Sequence, residues 1–228
     1  MFCVITCEHA TNKVPAKWKT KINNQQLLNS HAGYDIGALL IARVLSRELN
    51  APLFKGEVTR LLIDLNRSIN RAQAYSKYTQ TLKIKEKERL AARYYYPYRT
   101  AVHEAIENAE SGSRVLHLSV HSFTPHWQGQ NRPADIGLLY DPARKAEARF
   151  CEKLAAKLKQ ILPNLRIRRN YPYRGSSDGF TTDLRRRYPV GRYLGLELEF
   201  NQALLLNPGT ASKRLAVAVA RCIAELVH

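Results

Sequence analysis

Apolar and polar positions along this chain alternate between two periods. Phe2-Cys3-Val4-Ile5-Thr6-Cys7 is a short, mostly apolar run that meets the polar pair Glu8-His9, the pattern of a buried strand. From Ile36 to Asn50 the spacing becomes helical: Ile36, Leu39, Leu40 and Val44 fall on one side, Arg43, Arg47 and Glu48 on the other. Asp35 stands where an N-cap is expected. Ala51–Lys55 and Leu61–Leu65 read as two further strands. Leu82–Ala109 reads as a long charged helix that Pro97 should kink or split. After a turn at Ser111-Gly112-Ser113 comes a strand from Val115 that runs into His121-Ser122. Asp135–Tyr140 is a short strand, and Pro142–Leu162 an amphipathic helix stopped by Pro163. Leu165–Arg169 is a strand candidate and Asn170–Gly175 a loop by composition. Tyr193–Phe200 is the last strand, and Pro208–Val227 a closing helix with Pro at its start. Pro125–Pro133 and Gly175–Arg192 read as long irregular segments, a form that active-site lids often take.

Strands alternating with helices predict an α/β fold, a three-layer α/β/α sandwich. The 228 residues show neither repeat nor linker, so one domain over residues 1–228 is expected. The hydrophobic content of 45% argues against disorder. No apolar run approaches the ~20 residues needed to span a bilayer, so no membrane partner is expected. The start of the chain lacks the basic stretch and long apolar segment of a secretory signal. The four cysteines contain no CxxC pair: Cys3 and Cys7 share one face of a strand, and Cys151 and Cys222 fall in helices. These features predict a reducing, cytoplasmic setting.

The net charge of +17 admits an anionic substrate or a polyanion. Much of the excess is spread over helices, as at Lys83, Lys85, Lys87, Arg89 and Arg93, which argues for a solvated basic surface and against nucleic acid, without excluding it. The cluster Arg166, Arg168, Arg169, Arg174 and Arg185–Arg187 is denser and is a candidate border of a site.

The candidate chemistry lies at strand ends, where open α/β sheets place their sites. Glu8 and His9 follow the first strand. His121 ends the strand from Val115; His117, four residues earlier, shares its face but lies deeper, as a core histidine would. Glu197 and Glu199 interrupt the last strand on one face, and Glu199 is nearer its carboxyl end. Buried carboxylates need cations, a metal or donors. Strands delivering His, His and Glu to one edge suggest a hydrolase, most simply a metal-dependent one. His31 is a further candidate to line the site. Arg60, Asp64, Asn66 and Arg67 bracket Leu61-Leu62-Ile63; Asp64 could pair with Arg67, or the guanidinium groups could grip a carboxylate, as could Arg174. The chain has no HExxH, GxSxG, GxGxxG or GxxxxGK[ST] motif, which disfavours zincin proteases, serine hydrolases and nucleotide-binding enzymes.

An ordered set of segments resembles the N-formylglutamate amidohydrolase family. They are Cys7-Glu-His-Ala-Thr-Asn-Lys-Val-Pro15, His31-Ala-Gly-Tyr-Asp-Ile-Gly37, Thr59-Arg-Leu-Leu-Ile-Asp-Leu-Asn-Arg67, Tyr96-Pro-Tyr98, His121-Ser122, Asn170-Tyr-Pro-Tyr-Arg-Gly175 and Leu196-Glu-Leu-Glu-Phe-Asn201. The resemblance implies a phosphorylase/hydrolase-like fold with a mixed sheet, related to zinc carboxypeptidases. It implies hydrolysis of an N-acyl, N-formyl-type amide of an acidic amino acid with a divalent metal, zinc first. His9 and His121 become metal ligands, either Glu8 or Asp35 supplies the carboxylate ligand, and Glu199 becomes the general base. Arg60, Asn66, Arg67 and Arg174 fall on substrate-facing motifs, and the partner is a small anionic N-acyl amino acid. Cys7-Glu8-His9-Ala10-Thr11 departs from the Ser-Pro-His-Ala-Gly start of many relatives, which points to a branch with undefined substrates. The alternatives are a metallopeptidase on a small or cell-wall peptide and a non-catalytic polyanion-binding protein on the same fold.

Overall fold

The computed structural model of the chain describes residues 1–110, 112–205 and 209–227. In chain order the strands are β1 (Phe2–Cys7), β2 (Leu53–Lys55), β3 (Val115–Phe123), β4 (His126–Trp127), β5 (Gln130–Asn131), β6 (Ile136–Leu139), β7 (Ile167–Arg169) and β8 (Tyr193–Asn201). The helices are α1 (Gln25–Leu28), α2 (Ala38–Glu48), α3 (Ile84–Leu90), α4 (Tyr96–Glu107), α5 (Lys145–Ile161), α6 (Phe180–Arg187) and α7 (Thr210–Val227). Among the described residues, six strands form one mixed sheet in the order β2-β1-β3-β8-β6-β7, in which β6 runs antiparallel to β8 and the other pairings are parallel.

The two faces of this sheet differ in chemistry. Leu116, Leu118 and Val120 of β3, with Leu194, Leu196, Leu198 and Phe200 of β8, point to a core shared with Ile41 and Leu45 of α2, Leu154 and Leu158 of α5, and Val219 and Ile223 of α7. The opposite face carries Val4 and Thr6, then Val115, His117, Ser119 and His121, then Tyr193, Glu197 and Glu199, and is covered by α4 and α6. Period-2 alternation produces both faces from the same strands. Glu147, buried on α5, accepts from the backbone N–H of Gly195 at 3.1 Å and from Arg185 Nε. β6 pairs with β8 only from Glu197 onward, so this carboxylate takes a donor that no ladder partner reaches.

Several expectations need correction. Leu61–Leu65 is not a strand: Leu62 N–H bonds Thr59, Asp64 N–H bonds Ala74, and the hydroxyls of Ser76 and Thr79 take the carbonyls of Leu61 and Leu62. The segment packs as a loop in a satellite core with Ile22, Leu28 and Tyr95. The long stretch divides as Pro97 predicts, though just ahead of it: α3 ends at Leu90, a π turn spans Ala91–Tyr95, and Pro97 falls in the first turn of α4. Pro125–Pro133 contains the hairpin β4–β5, and Gly175–Arg192 contains α6. The polar run Thr-Thr-Asp-Leu-Arg-Arg-Arg hid that helix, although Phe180, Thr181, Leu184 and Arg185 form a buried face at helical spacing. Asp35 does not cap α2; Gly37 does, at φ 80°, where Leu205 leaves no room for a Cβ. Of the expected turn at 111–113 and helix from 208, Ser111 and Pro208 lie outside the described residues.

Candidate metal and catalytic centre

β1, β3 and β8 run side by side and in parallel, so their carboxyl ends open on one edge. His9 follows β1 by two residues, and its carbonyl accepts the Asp35 N–H at 2.9 Å, which ties the approach to α2 onto the end of β1. Asp35 Oδ2 lies 3.3 Å from His9 Nδ1 and 2.8 Å from His121 Nδ1. Its other oxygen accepts from Arg60 Nη2 and lies 3.3 Å from His31 Nδ1. His9, Asp35 and His121 each offer a ligand atom, these atoms all lie within 4.8 Å of one another, and all three residues are buried.

Each imidazole turns its second nitrogen to other polar groups. His9 Nε2 meets Asp64 Oδ1 at 2.7 Å. His121 Nε2 meets Ser119 Oγ at 2.8 Å and Glu8 Oε2 at 3.3 Å, while the Ser119 hydroxyl donates to Glu8 at 2.8 Å. Tyr98 donates to the other Glu8 oxygen at 3.2 Å. Of the two candidate carboxylate ligands, the structure brings Asp35 into the donor group and leaves Glu8 behind the far nitrogen of His121. Continuing the alternation of β1, Glu8 falls on the face of Val4, Thr6, Ser119 and His121, where it meets Ser119 and Tyr98 beside the far nitrogen of that imidazole. Asp64 does not pair with Arg67, whose Nη1 donates instead to the Asp178 carbonyl.

Electrostatics follow from burial and these partners. Burial would lower the imidazole of His121, but Asp35 and Glu8 hold it well above its usual range. Burial would raise the carboxyls of Asp35 and Glu8; Arg60 and His9 pull the first down, and His121 the second. Glu199 differs. It lies opposite His121 in the β3–β8 register, yet its Oε2 is buried with no hydrogen-bond partner among the described residues. Burial pushes its carboxyl up to about 8, only partly countered by His121.

These groups floor a cavity of about 440 Å³, a volume suited to a small-molecule ligand. Arg60, Asn66, Arg67, Arg174 and His31 all line it, as do Glu199 and the three clustered donors. Asn66 is fixed from behind, because its Oδ1 accepts the Phe180 N–H at 2.7 Å. Of the wider arginine cluster only Arg174 reaches the cavity: Arg166 pairs with Asp135, Arg169 with Glu152, and Arg185 with Glu147. His117 stays deep, its ring held by Thr6 Oγ1 at 2.7 Å and Tyr193 OH at 2.6 Å. Sequence reasoning missed Trp127 and Tyr173, which also line the cavity, and the bond of Asp64 to His9. Only the Gln128-Gly129 pair signalled a hairpin that could present Trp127.

Comparison with known families and folds settles the class. The pattern of the N-formylglutamate amidohydrolase family matches residues 2–206. The chain belongs to the N-formylglutamate amidohydrolase family. A solved structure, gene product Atu2144 from Agrobacterium tumefaciens, is similar to it at 28% identity and a TM-score of 0.83, covering 99% of this chain and 92% of that one. An N-acetylmuramoyl-L-alanine amidase, AmiC2 of Nostoc punctiforme, superposes at a TM-score of 0.43 and 11% identity over 99% of this chain and 96% of its own. Murine aminoacylase 3 superposes at 0.40 and 13% over 100% of this chain and 64% of its own. Both are too distant to bear on function. No curated protein matches. The family assignment supports an amide hydrolase, and the fold is the expected α/β/α arrangement with a mixed sheet. Among the described residues no helix is long and apolar enough to cross a membrane.

Proposed function

We propose that residues 1–228 form one catalytic domain that hydrolyses the N-acyl amide of an acidic amino acid with a divalent metal, zinc first. The observation that carries this reading is the convergence of His9, Asp35 and His121 near Glu199, whose buried Oε2 has no hydrogen-bond partner among the described residues. The donors fit zinc: two imidazole nitrogens and one carboxylate oxygen are a zinc ligand set, three protein ligands leave a position open, and Asp64 and Glu8 stand behind the imidazoles as outer partners do. When bound, such a metal polarises the scissile carbonyl and lowers the pKa of water to about 7.

The chain's own groups do the rest. Glu199, in its carboxylate form and with its buried Oε2 uncommitted among the described residues, takes a proton from the attacking water and passes it to the leaving nitrogen. Arg67 and Arg174 bind the substrate carboxylates. Arg60 is committed through Nη2 to Asp35, keeps a buried Nε without a partner among the described residues, and shares the task as a lining residue of the same cavity. Asn66 positions beside His121. Glu8, with Ser119 and Tyr98, orients His121 and takes no ligand place. The four cysteines are free and buried, which supports a reducing, cytoplasmic setting.

Elemental analysis tests the metal. The purified protein should hold one equivalent of zinc, and His9→Ala and His121→Ala should each lose it while the far-UV CD spectrum is kept. Zinc-free protein that cleaves N-acyl glutamates at full rate in a chelator would overturn the metal reading. Cleavage of small peptides in preference to N-acyl amino acids would favour the metallopeptidase alternative.

A further inference from the structure

The mouth of the cavity carries an assembled aromatic rim. Trp127 is half exposed yet lines the cavity, as does Tyr173. An exposed indole at a cavity mouth is an unusual place for an apolar surface, and three features fix it there. First, β4 and β5 pair directly, and Gln128 and Gly129 between them have φ of 48° and 77°, the two positive values of a tight hairpin turn. Second, Arg132 joins the hairpin to the other ring. Its guanidinium lies 5.3 Å from the Trp127 ring and 5.1 Å from the Tyr173 ring, and its Nη1 donates to Tyr173 OH at 3.1 Å. It also lies 6.0 Å from Phe123, two residues beyond His121 on β3. Third, the loop bearing Tyr173 is closed by Asn170, whose Oδ1 accepts the N–H groups of Tyr140 at 3.0 Å and Gly175 at 3.1 Å. The same loop seats over Gly137, where a Cβ would collide with the Tyr171 carbonyl.

The geometry points to a substrate class. We propose that Trp127 and Tyr173 form a subsite for a flat aromatic acyl group, so that the preferred substrates are N-aroyl amino acids and not N-formyl ones. This inference rests on the amide-hydrolase reading of the same cavity. The cations at Arg60, Arg67 and Arg174 take the carboxylates of the amino acid portion. The remaining substituent on the scissile amide is the acyl group, and the aromatic rim is left to receive it. A formyl group would leave both rings uncovered in a cavity of about 440 Å³. In the reaction water adds across the C–N bond, giving the aryl carboxylate and the free amino acid.

Kinetics with N-benzoylglutamate and N-formylglutamate, together with tryptophan fluorescence, test the proposal. The chain has two tryptophans, so a Trp18→Phe background leaves Trp127 as the reporter. N-Benzoylglutamate should quench Trp127 emission at concentrations where N-formylglutamate does not. Trp127→Ala should raise KM for the benzoyl compound on the order of 10-fold, the scale of one lost aromatic contact, and leave KM for the formyl compound within twofold; Trp127→Phe should restore most of the difference. Equal effects of Trp127→Ala on both compounds, or faster turnover of the formyl compound in the wild type, would overturn the rim. Quenching by the benzoyl compound without cleavage of either supports the rim and overturns the hydrolase reading. Cleavage with no dependence on residue 127 overturns the rim and leaves that reading standing.

Discussion

His117 and His121 lie on one strand, on one face, four residues apart, yet they meet opposite chemistry. His117 is enclosed by Thr6, Tyr193 and Phe180, with both ring nitrogens bonded to hydroxyls. Burial drives its pKa down to about 4, so it is a neutral part of the packing. His121 meets two carboxylates, which hold it well above its usual range. The same gradient runs along β8: Tyr193 is deep and bonded, while Glu199 at the cavity end keeps an oxygen without a partner among the described residues. The polar face is therefore satisfied at its closed end and left incomplete at its open end. A strand thus carries structural and chemical polar groups together, and depth along the strand separates them.

Three experiments would break or sharpen this contrast. The largest effect is expected at the open end. Glu199→Gln should cut kcat on the order of 10²- to 10⁴-fold, the range of a lost general base, with zinc content and thermal midpoint retained. A variant of full activity would remove Glu199 from the reaction. The closed end should instead govern stability in acid. The folded pKa of His117 lies below the 6.5 of an unfolded chain, so above pH 6.5 neither state binds the proton and stability is complete. Below it the unfolded chain takes up a proton that the native chain refuses, and roughly 3 kcal/mol is lost by about pH 4. Urea midpoints measured from pH 7 to pH 4 should fall more steeply for the wild type than for His117→Gln. Parallel slopes would show that His117 is not the group responsible. The smallest effect is expected one shell out. Asp64→Asn removes the carboxylate behind His9 and should weaken zinc affinity about 10- to 100-fold, measured by chelator competition. Unchanged affinity would make that bond incidental.

The sequence revealed more of the fold than of the site's wiring. Phe2–Cys7 and Tyr193–Asn201 were legible as short, mostly apolar runs buried on both faces, and the stretches of α2, α5 and α7 because each buries one face at helical spacing. α6 and the β4–β5 hairpin were not, because their polar residues are paired by partners far along the chain or stand at the cavity mouth. Leu61–Leu65 read as a strand because its apolar residues are buried, but they enter a loop core whose backbone is satisfied by Ser76 and Thr79.

By itself the chain determined which residue types stand at the carboxyl ends of β1, β3 and β8, since strand period and polarity are local properties. Only the tertiary structure placed Asp35 between the two imidazoles and Glu8 at the far nitrogen of His121. Only it gave Asp64 to His9 rather than to Arg67, and brought Trp127 and Tyr173 around Arg132. Those choices depend on contacts between segments 26 to 111 residues apart. Such contacts exist only once the sheet order places its strands side by side.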